Sequence, residues 1–153
     1  MRPIRCHKVR ATPYLRYHLP DLPVRYDTLV LDLGCGNLRN TCFAKRLGFK
    51  RVKSIDAAGD FGIKAVLGTD PIPAEDDSAG LILCNYLLCF LNERERSHLI
   101  KEIKRVSFPG AHIILEMYPA KQGKPYDLDK IVRHLGWTVL HRVKDRFIAR
   151  RDR

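Results

Sequence analysis

The sequence has no long apolar run, and this absence argues against two classes of protein. A membrane-spanning helix needs about 18 or more consecutive apolar residues, and no segment of this kind occurs. Residues 1–8, Met-Arg-Pro-Ile-Arg-Cys-His-Lys, lack the apolar centre of a secretory signal peptide. We therefore expect a soluble, intracellular, cytoplasmic protein with no membrane among its partners.

Paired cysteines and clustered histidines are also missing. The five cysteines include no Cys-x-x-Cys pair, and their number is odd. The six histidines show no spacing that is typical of metal ligands. We therefore expect reduced thiols with structural roles, and we predict neither a disulfide framework nor a metal site.

Acidic residues are scarce relative to basic ones, at 17 against 28, and the net charge of +11 lies mostly at the two ends. Residues 1–27 carry six Arg or Lys against two Asp (+4), and residues 119–153 carry ten against four (+6), which leaves +1 for residues 28–118. Basic ends favour an anionic partner, with nucleic acid as the first candidate. A solvated basic surface that binds no partner is the alternative.

The length of 153 residues and the hydrophobic content of 45% are sufficient for one domain with its own core. We divide it into a basic N-terminal arm (1–27), a central core (28–118) and a C-terminal part of loop, helix and hairpin (119–153). The arm mixes Pro, Tyr and basic residues, so we expect an extended segment with a short helix around Tyr14–His18.

The most informative stretch is Leu29-Val-Leu-Asp-Leu-Gly-Cys-Gly-Asn37. An apolar run gives way to Asp32, Gly34 and Gly36, which predicts a buried strand that turns sharply into a helix. Glycine permits a positive φ and lets a ligand approach the main chain without meeting a Cβ. We expect Asp32 to point an acceptor into the crevice where open α/β sheets bind ligands. A tight turn with no ligand is the alternative.

Three later segments strengthen the ligand interpretation. A second strand, Val52–Asp56, ends in a carboxylate, an acidic turn surrounds Asp70, and a buried strand covers Gly80–Asn85. In order and spacing these segments and the Asp-x-Gly-x-Gly turn resemble the class I S-adenosylmethionine (SAM) dependent methyltransferases. The resemblance extends from Leu29 to around Tyr118 and makes residues 28–118 the SAM-binding core.

The resemblance implies an α/β fold, a three-layer Rossmann-like sheet that is mostly parallel and ends in an antiparallel hairpin. Trp137–Val143 and Arg146–Arg150 read as that hairpin. Too few residues follow Asp56 for a full helix, so we expect a shortened second crossover and a brief strand at Lys64–Leu67. The adenosine pocket is then more open than usual, or a protein partner or a second copy of the chain completes it.

The remaining pattern predicts three helices, one more strand and a mobile lid. These are a helix from Asn40 or Thr41 to Leu47, a helix over Glu93–Ser107, a strand over Ala111–Met117, a helix over Asp127–Leu135, and a lid after Pro119.

The resemblance also implies SAM as the cofactor and a set of binding residues: Asp32, Gly34, Cys35, Gly36, Asn37, Asp56, Ala57, Asp70, Pro71 and Asn85. Within this set, Asp32 holds the ammonium group, Asp56 accepts from the ribose hydroxyls and Asp70 accepts from the adenine amino group. Each of these three carboxylates could instead be an ordinary cap or turn residue. Segments before the first strand often cover the cofactor and help to shape the substrate pocket in this family, which makes Tyr14, Tyr17 and His18 possible substrate contacts.

Asn85 and Tyr86 are the catalytic candidates, because the family places these positions nearest to the transferred methyl group. Both could instead only cap the strand. The (Asn/Asp)-Pro-Pro-(Tyr/Phe) signature of DNA amino-methyltransferases is absent at this position, and no Pro-Cys pair for attack at cytosine C5 occurs. Both of these DNA-base chemistries are therefore disfavoured. We expect a SAM-dependent methyltransferase with nucleic acid, RNA included, as the first acceptor. The alternatives are a SAM-binding regulatory or non-catalytic partner subunit, a protein or small-molecule methyltransferase, and a basic nucleic-acid-binding module.

Overall fold

The computed structural model describes residues 10–59, 62–118 and 128–153. The first nine residues of the predicted arm, and residues 119–127 with the expected lid, lie outside the described residues. The helices are α1 (Pro13–His18), α2 (Arg39–Leu47), α3 (Glu93–Val106) and α4 (Leu128–Leu135). The strands are β1 (Leu29–Leu33), β2 (Arg51–Asp56), β3 (Ile63–Lys64), β4 (Ala79–Asn85), β5 (Ser107–Glu116), β6 (Thr138–Val143) and β7 (Arg146–Arg150).

The strands form one sheet in the order β3-β2-β1-β4-β5-β7-β6. Strands β1 to β5 pair in parallel, whereas β7 runs antiparallel to both β5 and β6. The mostly parallel sheet and the C-terminal hairpin are therefore confirmed. The strand order reverses between β1 and β4, and open α/β sheets bind their ligands at the carboxyl ends of strands at such a point.

Helices cover both faces of the sheet, which confirms the three-layer architecture. Successive side chains of a strand point to opposite faces. On one face Leu31 and Leu33 pack with the buried side chains of α3 and α4. On the other face Val30 and Leu83 pack with those of α1 and α2. The face on which a strand residue lies therefore decides which helices its side chain can meet.

Helix α3 illustrates why the sequence folds as predicted. Asn92 caps the helix, because its Oδ1 accepts from the backbone N–H of Glu95 at 2.9 Å and its Nδ2 donates to the Glu95 carboxylate at 2.5 Å. Leu99, Ile103 and Val106 recur at helical spacing and are all buried. The helix ends at Val106, one residue before the predicted end.

The connection after β2 differs in part from the prediction. The described residues between β2 and β3 contain no helix, so the shortened second crossover is confirmed. The predicted strand at Lys64–Leu67 is wrong, since β3 holds only Ile63–Lys64. The chain turns immediately afterwards because the Asp70 carboxylate accepts from the Val66 N–H at 2.8 Å. An Asp at the end of a turn stabilises it in this way. The turn directs the chain away from β2.

Strand β5 begins earlier than the predicted Ala111 and runs through Pro109 and Gly110. Proline cannot donate to a sheet, so it is tolerated where the pairing is irregular. The pairing of β4 with β5 shifts register between Ala79 and Leu81, beside this segment. Gly110 instead donates to the carbonyl of Arg151, at 2.9 Å.

One cysteine differs from the expectation of reduced thiols. Cys42, on α2, is disulfide-bonded, whereas Cys35 and Cys84 carry free thiols. Within the described ranges, no group of three or more His, Cys, Asp or Glu residues could hold a metal ion. None of the helices in this part of the chain has the length and apolar character that a membrane crossing needs.

Asp32 is a buried carboxylate in the middle layer of the fold. Its position in β1 matches that of Val30, so its side chain faces α2, where Thr41 Oγ1 donates to it at 2.5 Å. Burial raises the pKa of Asp32 to about 6, and the hydrogen bonds from Thr41 oppose this shift. The unfolded chain therefore releases this proton at a lower pH than the folded protein does.

We predict that Asp32→Asn increases the free energy of unfolding, and that the increase grows with pH. Between pH 4 and pH 6 the folded state retains a proton that the unfolded state has lost, so Asp32 makes wild-type stability fall as pH rises. The difference should reach at most about 3 kcal/mol near pH 7, since one pKa unit corresponds to 1.36 kcal/mol. Urea denaturation of both proteins at several pH values measures it.

Asp27→Asn is the control, because Asp27 is exposed and its pKa is lowered by a hydrogen bond from Arg25. This substitution should produce a small change of opposite sign. A stability difference between wild type and Asp32→Asn that stays constant from pH 4 to pH 7 would contradict the prediction.

Candidate functional site

The glycine turn after β1 borders open space. Gly34 (φ +69°) and Gly36 (φ +50°) both adopt left-handed backbone conformations. The N–H groups of Gly34 and Cys35 donate to the carbonyl of Ile55 at 2.8 and 3.0 Å, which fixes the turn against β2. A Cβ added at Gly34 would lie 3.1 Å from the Leu87 side chain, whereas one added at Gly36 would meet nothing within 4 Å. A ligand can therefore approach the main chain at Gly36.

The start of α2 is strained beside this turn. Leu38, which precedes the helix, has φ +69° although it is not a glycine. Asn37 is exposed, and its Oδ1 accepts from the Arg39 N–H at 3.3 Å. Such strain persists only where the surrounding structure imposes it, and it often accompanies a functional site.

Asp56 lies next to the glycine turn, as the sequence predicted. Its Oδ2 accepts from the Gly36 N–H at 3.0 Å, and its Oδ1 accepts from the Ala58 N–H at 3.1 Å. Ala57, which lies between Asp56 and Ala58 in the sequence, is exposed. The structure therefore brings the end of β2 and the glycine turn together around one carboxylate.

Asp32 does not point into the crevice, contrary to the expectation from sequence. It is 2% exposed and is hydrogen-bonded to Thr41, whose hydroxyl also lies 2.7 Å from that of Ser54. The reason is the alternation of β1, which directs Asp32 towards α2. A bond to a ligand ammonium stays a prediction for this residue.

Asp70 and Pro71 lie on the exposed turn that follows β3. Asp70 accepts from Val66, and its carbonyl lies 3.1 Å from Nε2 of His98 on α3. The carboxylate thus has the turn-stabilising contact that the sequence left open as an alternative. Its role towards an adenine ring stays a prediction.

The structure adds a residue that the sequence analysis missed, Glu116 at the carboxyl end of β5. This carboxylate is fully buried and accepts from Asn85 Nδ2 at 2.5 Å, from Thr12 Oγ1 at 2.5 Å and from the Tyr86 hydroxyl at 3.3 Å. The guanidinium of Arg146 lies 3.5 Å away. A single acidic residue at the end of the apolar run Ile113–Leu115 was the available signal, because buried carboxylates are rare unless paired.

Glu116 also fixes the orientation of the Asn85 amide. The carboxylate accepts hydrogen bonds, so the amide nitrogen faces it and Oδ1 points away. Asn85 Oδ1 is buried and has no hydrogen-bond partner among the described residues. An unpaired buried acceptor costs about 1–3 kcal/mol, which a donor on a ligand would recover.

Three aromatic side chains lie beside Asn85 and form a surface that we call the aromatic surface: Tyr86, Phe90 and Tyr118. The rings of Tyr86 and Tyr118 stack at 4.5 Å, and Phe90 packs edge-on to Tyr118 at 6.1 Å. Phe90 is 75% and Tyr118 48% exposed. The guanidinium of Arg39 lies 5.8 Å from the Tyr86 ring centre.

Tyr86 is constrained more tightly than its neighbours. It has φ +60°, and burial, followed by the charge of Glu116, raises the pKa of its hydroxyl. Because the phenol stays protonated, it can donate a hydrogen bond but cannot act as a strong base near neutral pH. The strained backbone lies directly after β4, and the hydroxyl of this ring reaches Glu116 at the end of β5.

Helix α1 packs against the C-terminal hairpin on the same side of the sheet. The Tyr14 hydroxyl lies 2.8 Å from Nδ1 of His141, and the His18 ring lies 4.4 Å from the His141 ring. Burial raises the pKa of Tyr14 to about 12, and the charge of Glu116 adds to the shift. Burial and the neighbouring His141 lower the pKa of His18. Tyr14 and His18 therefore line the edge of the Glu116 network.

Cys35 lies within the glycine turn and is buried. Burial raises the pKa of this thiol to about 12, with smaller contributions from Asp32 and Asp56. A thiol that stays protonated is a poor nucleophile. Its place in the turn therefore suits packing against a ligand.

The residues present fit SAM. This molecule carries an ammonium group and two ribose hydroxyls, which are all hydrogen-bond donors. The site offers matching acceptors in the Asp56 carboxylate and Asn85 Oδ1, with open space at Gly36. The ammonium group and the ribose hydroxyls need hydrogen-bond acceptors and not cations, and a carboxylate is such an acceptor.

Comparison with known proteins gives a family and a fold. The sequence model of the family described as Methyltransferase domain matches residues 31–115, more than half of the chain. Comparison with curated proteins gives no match. The matched segment contains the glycine turn, Asp56, the turn at Asp70 and the end of β4, and it stops one residue before Glu116.

Many solved structures share the fold. A SAM-dependent methyltransferase from Methanosarcina mazei is 16% identical, with 94% of this chain and 99% of that chain covered and a TM-score of 0.71. The Burkholderia thailandensis 1,6-didemethyltoxoflavin-N1-methyltransferase, with its substrate and S-adenosylhomocysteine bound, is 14% identical, with 92% and 76% covered and a TM-score of 0.68.

A third similar structure is the Haloferax volcanii complex between the Trm112 methyltransferase activator and a methyltransferase. It is 15% identical, with 82% of this chain and 68% of that chain covered and a TM-score of 0.69. At these identities the structures establish the fold, and the family match establishes the relationship. The chain belongs to the class I SAM-dependent methyltransferase family, and its cofactor is SAM.

Proposed function

We propose that this methyltransferase transfers the methyl group to a base of a nucleic acid, with RNA as the first candidate. The aromatic surface of Tyr86, Phe90 and Tyr118 carries this proposal. Phe90 and Tyr118 are 75% and 48% exposed, and the Tyr118 ring stacks on Tyr86, the residue that follows Asn85. Stacking of a base on an aromatic side chain contributes about 1–3 kcal/mol and requires an unpaired base.

The charge of the protein supports the same acceptor. The net charge is +11, and Arg39 lies against the Tyr86 ring at the edge of the aromatic surface. A guanidinium beside a stacking ring can bind the phosphate of the nucleotide that the ring holds. Basic residues and exposed aromatic rings together are typical of proteins that bind single strands.

For the cofactor, we propose that the glycine turn and Cys35 line the methionine part and that Asp56 accepts from the ribose hydroxyls. Asn37, Ala57, Asp70 and Pro71 border the same crevice in this proposal. SAM supplies an activated methyl group, so the protein contributes mainly alignment and a pocket from which water is excluded.

Asn85 and Tyr86 are proposed to orient the acceptor. Glu116 holds the Asn85 amide so that Oδ1 can accept from an N–H group, and a nucleobase amino group is such a donor. Tyr86 supplies a ring for stacking. Asp32 contributes through Thr41, which keeps the start of α2 beside the glycine turn.

Two alternatives remain from different classes. The B. thailandensis neighbour is named for a small molecule, and a flat small molecule could also stack on the aromatic surface. The H. volcanii neighbour is in complex with an activator, and the exposed side chains of Ile63 and Val66 beside the shortened crossover would suit a protein partner or a second copy. In that case the chain could be a regulatory or non-catalytic subunit.

We predict that Phe90→Ala and Tyr118→Ala each weaken binding of single-stranded oligonucleotides by about 1–3 kcal/mol, because each removes a stacking ring. SAM affinity should change little. Fluorescence anisotropy with labelled RNA and DNA measures the first quantity, calorimetry the second, and transfer of a labelled methyl group from SAM identifies the accepted base.

Tyr26→Ala is the matched control, since Tyr26 is 49% exposed but packs edge-on against Phe49 at the opposite end of the strands. Failure of the wild-type protein to bind or methylate any oligonucleotide at low salt would reject the nucleic-acid acceptor. The small-molecule and regulatory alternatives would then be tested with the same labelled SAM.

We predict that Gly36→Ala abolishes SAM binding and leaves the protein folded. The added Cβ would enter the open space that the methionine part needs, and the left-handed backbone costs about 1–2 kcal/mol of stability. Gly136→Ala is the control. Gly136 also has a left-handed backbone, with φ +72°, and space for an added Cβ, but it lies outside the glycine turn. Calorimetry with SAM and thermal unfolding separate the two effects. Normal SAM binding by Gly36→Ala would mean that the turn does not face the cofactor.

We predict that Asp56→Ala lowers SAM affinity by about 1–3 kcal/mol, because the ribose hydroxyls lose a charged acceptor. Titration with SAM and with S-adenosylhomocysteine should show equal losses, since both carry the same ribose. Asp27→Ala removes an exposed carboxylate at the other end of the sheet and should leave both affinities unchanged. A folded Asp56→Ala protein with unaltered affinity would remove Asp56 from the site.

A further inference from the structure

A groove of about 690 Å³ separates α3 from α4 on the face of the sheet opposite α1 and α2. Ile100 and Ile131 form part of its lining. Most of the polar lining is basic or can become so: Arg94, Arg96, His98, Lys101, Lys130 and His134. The one carboxylate in the lining belongs to Glu93.

The positive charge of the groove is only partly neutralised. Glu93 pairs with Lys130. Arg96 donates to the carbonyl of Leu91 at 2.7 Å, and its charge also helps to lower the pKa of Glu93, so one carboxylate serves both Lys130 and Arg96. Arg94 and Lys101 form no hydrogen bond or ion pair with any other residue that the structure describes. An anion in the groove would therefore gain two cations without displacing an existing partner.

The spacing of the cations suits a chain of phosphates. Arg94 and Lys101 are seven residues apart, so they project from the same side of α3 with a separation of about 10 Å along its axis. One small anion cannot lie beside both positions of the helix at the same time. An extended polyanion that follows the helix can contact each of them with a different phosphate.

The lining of the groove begins three residues after Phe90 of the aromatic surface. Phe90 closes the 3₁₀ turn Leu88–Phe90, Asn92 caps α3, and the lining of the groove starts at Glu93. Because only a few residues separate Phe90 from the groove, a nucleic-acid strand with one base stacked on Phe90 would lie close to the start of the groove. This continuity favours a nucleic acid over an acidic protein segment.

We infer that the groove between α3 and α4 binds the phosphate backbone of a single-stranded nucleic acid whose base stacks on the aromatic surface. The inference rests on the proposed nucleic-acid acceptor and specifies the path of the strand. Arg94 and Lys101 make the phosphate contacts, and the strand leaves the site along α3.

The test is a double charge reversal, Arg94→Glu with Lys101→Glu, in the full chain. Binding of labelled 12-nucleotide RNA and DNA is measured across a salt series, and SAM affinity is measured in parallel. Affinity at low salt should fall about tenfold or more, and the slope of log affinity against log salt should flatten by about 1.4, since each phosphate contact in a single strand contributes roughly 0.7. SAM affinity should not change.

Two further variants keep the test sharp. Lys45→Glu with Arg46→Glu reverses two exposed charges at the end of α2, on the opposite face of the sheet, and should leave the slope unaltered. Arg94→Gln with Lys101→Gln removes the charges without adding repulsion and should give the same flattening with a smaller loss of affinity. Unchanged SAM affinity shows that each variant is folded.

The outcomes separate the two proposals. If wild type binds oligonucleotides and the Arg94/Lys101 variants bind equally well, the groove is wrong and the nucleic-acid acceptor stands. If wild type binds none of them at low salt, both are wrong while SAM binding is unaffected. If poly-glutamate binds as tightly as the oligonucleotides and loses affinity in the same variants, the groove binds acidic protein and the inference is overturned.

Discussion

The reversal of strand order between β1 and β4 is the constraint on which the site depends. Two parallel strands that are neighbours in the sheet send their chains to opposite sides, β1 into α2 and β4 towards α3. The carboxyl ends of both strands are consequently left without a crossover above them. The glycine turn, the Asp56 carboxylate and the Asn85 amide all lie around this gap, although they come from separate parts of the chain.

Alternation along the strands then distributes the polar side chains between the two faces. Asp32, Asn85 and Glu116 have the same orientation as Val30, Leu83 and Ile114, which pack with α1 and α2. The buried polar residues of the site therefore share one layer. The opposite face keeps an apolar interior under α3 and α4, so its charges lie on the outer surface of the helices, where the groove is found.

The strong sequence patterns predicted the fold well, whereas the local geometry of polar groups was harder to predict. Apolar runs, caps and glycine turns indicated the helices and the strands other than β3, because local chemistry determines them. The early start of β5 was missed since Pro109 and Gly110 are tolerated only through an irregular pairing with β4. Glu116 was missed for a similar reason. Its partners come from residues 12, 85, 86 and 146, and only the folded chain brings them together.

The buried Glu116 also explains why α1 belongs to the site. An isolated buried carboxylate is very unfavourable, and its cost is recovered only when hydrogen-bond donors surround it. The donors and the cation come from α1, β4 and the hairpin, through Thr12, Asn85 and Arg146. Thr12 additionally bonds through its N–H to Asn40 at the start of α2. Loss of any one of these segments leaves the carboxylate with fewer donors, so α1, the end of β4 and the C-terminal hairpin must assemble together. The orientation of the Asn85 amide is thereby set by residues from separate parts of the chain.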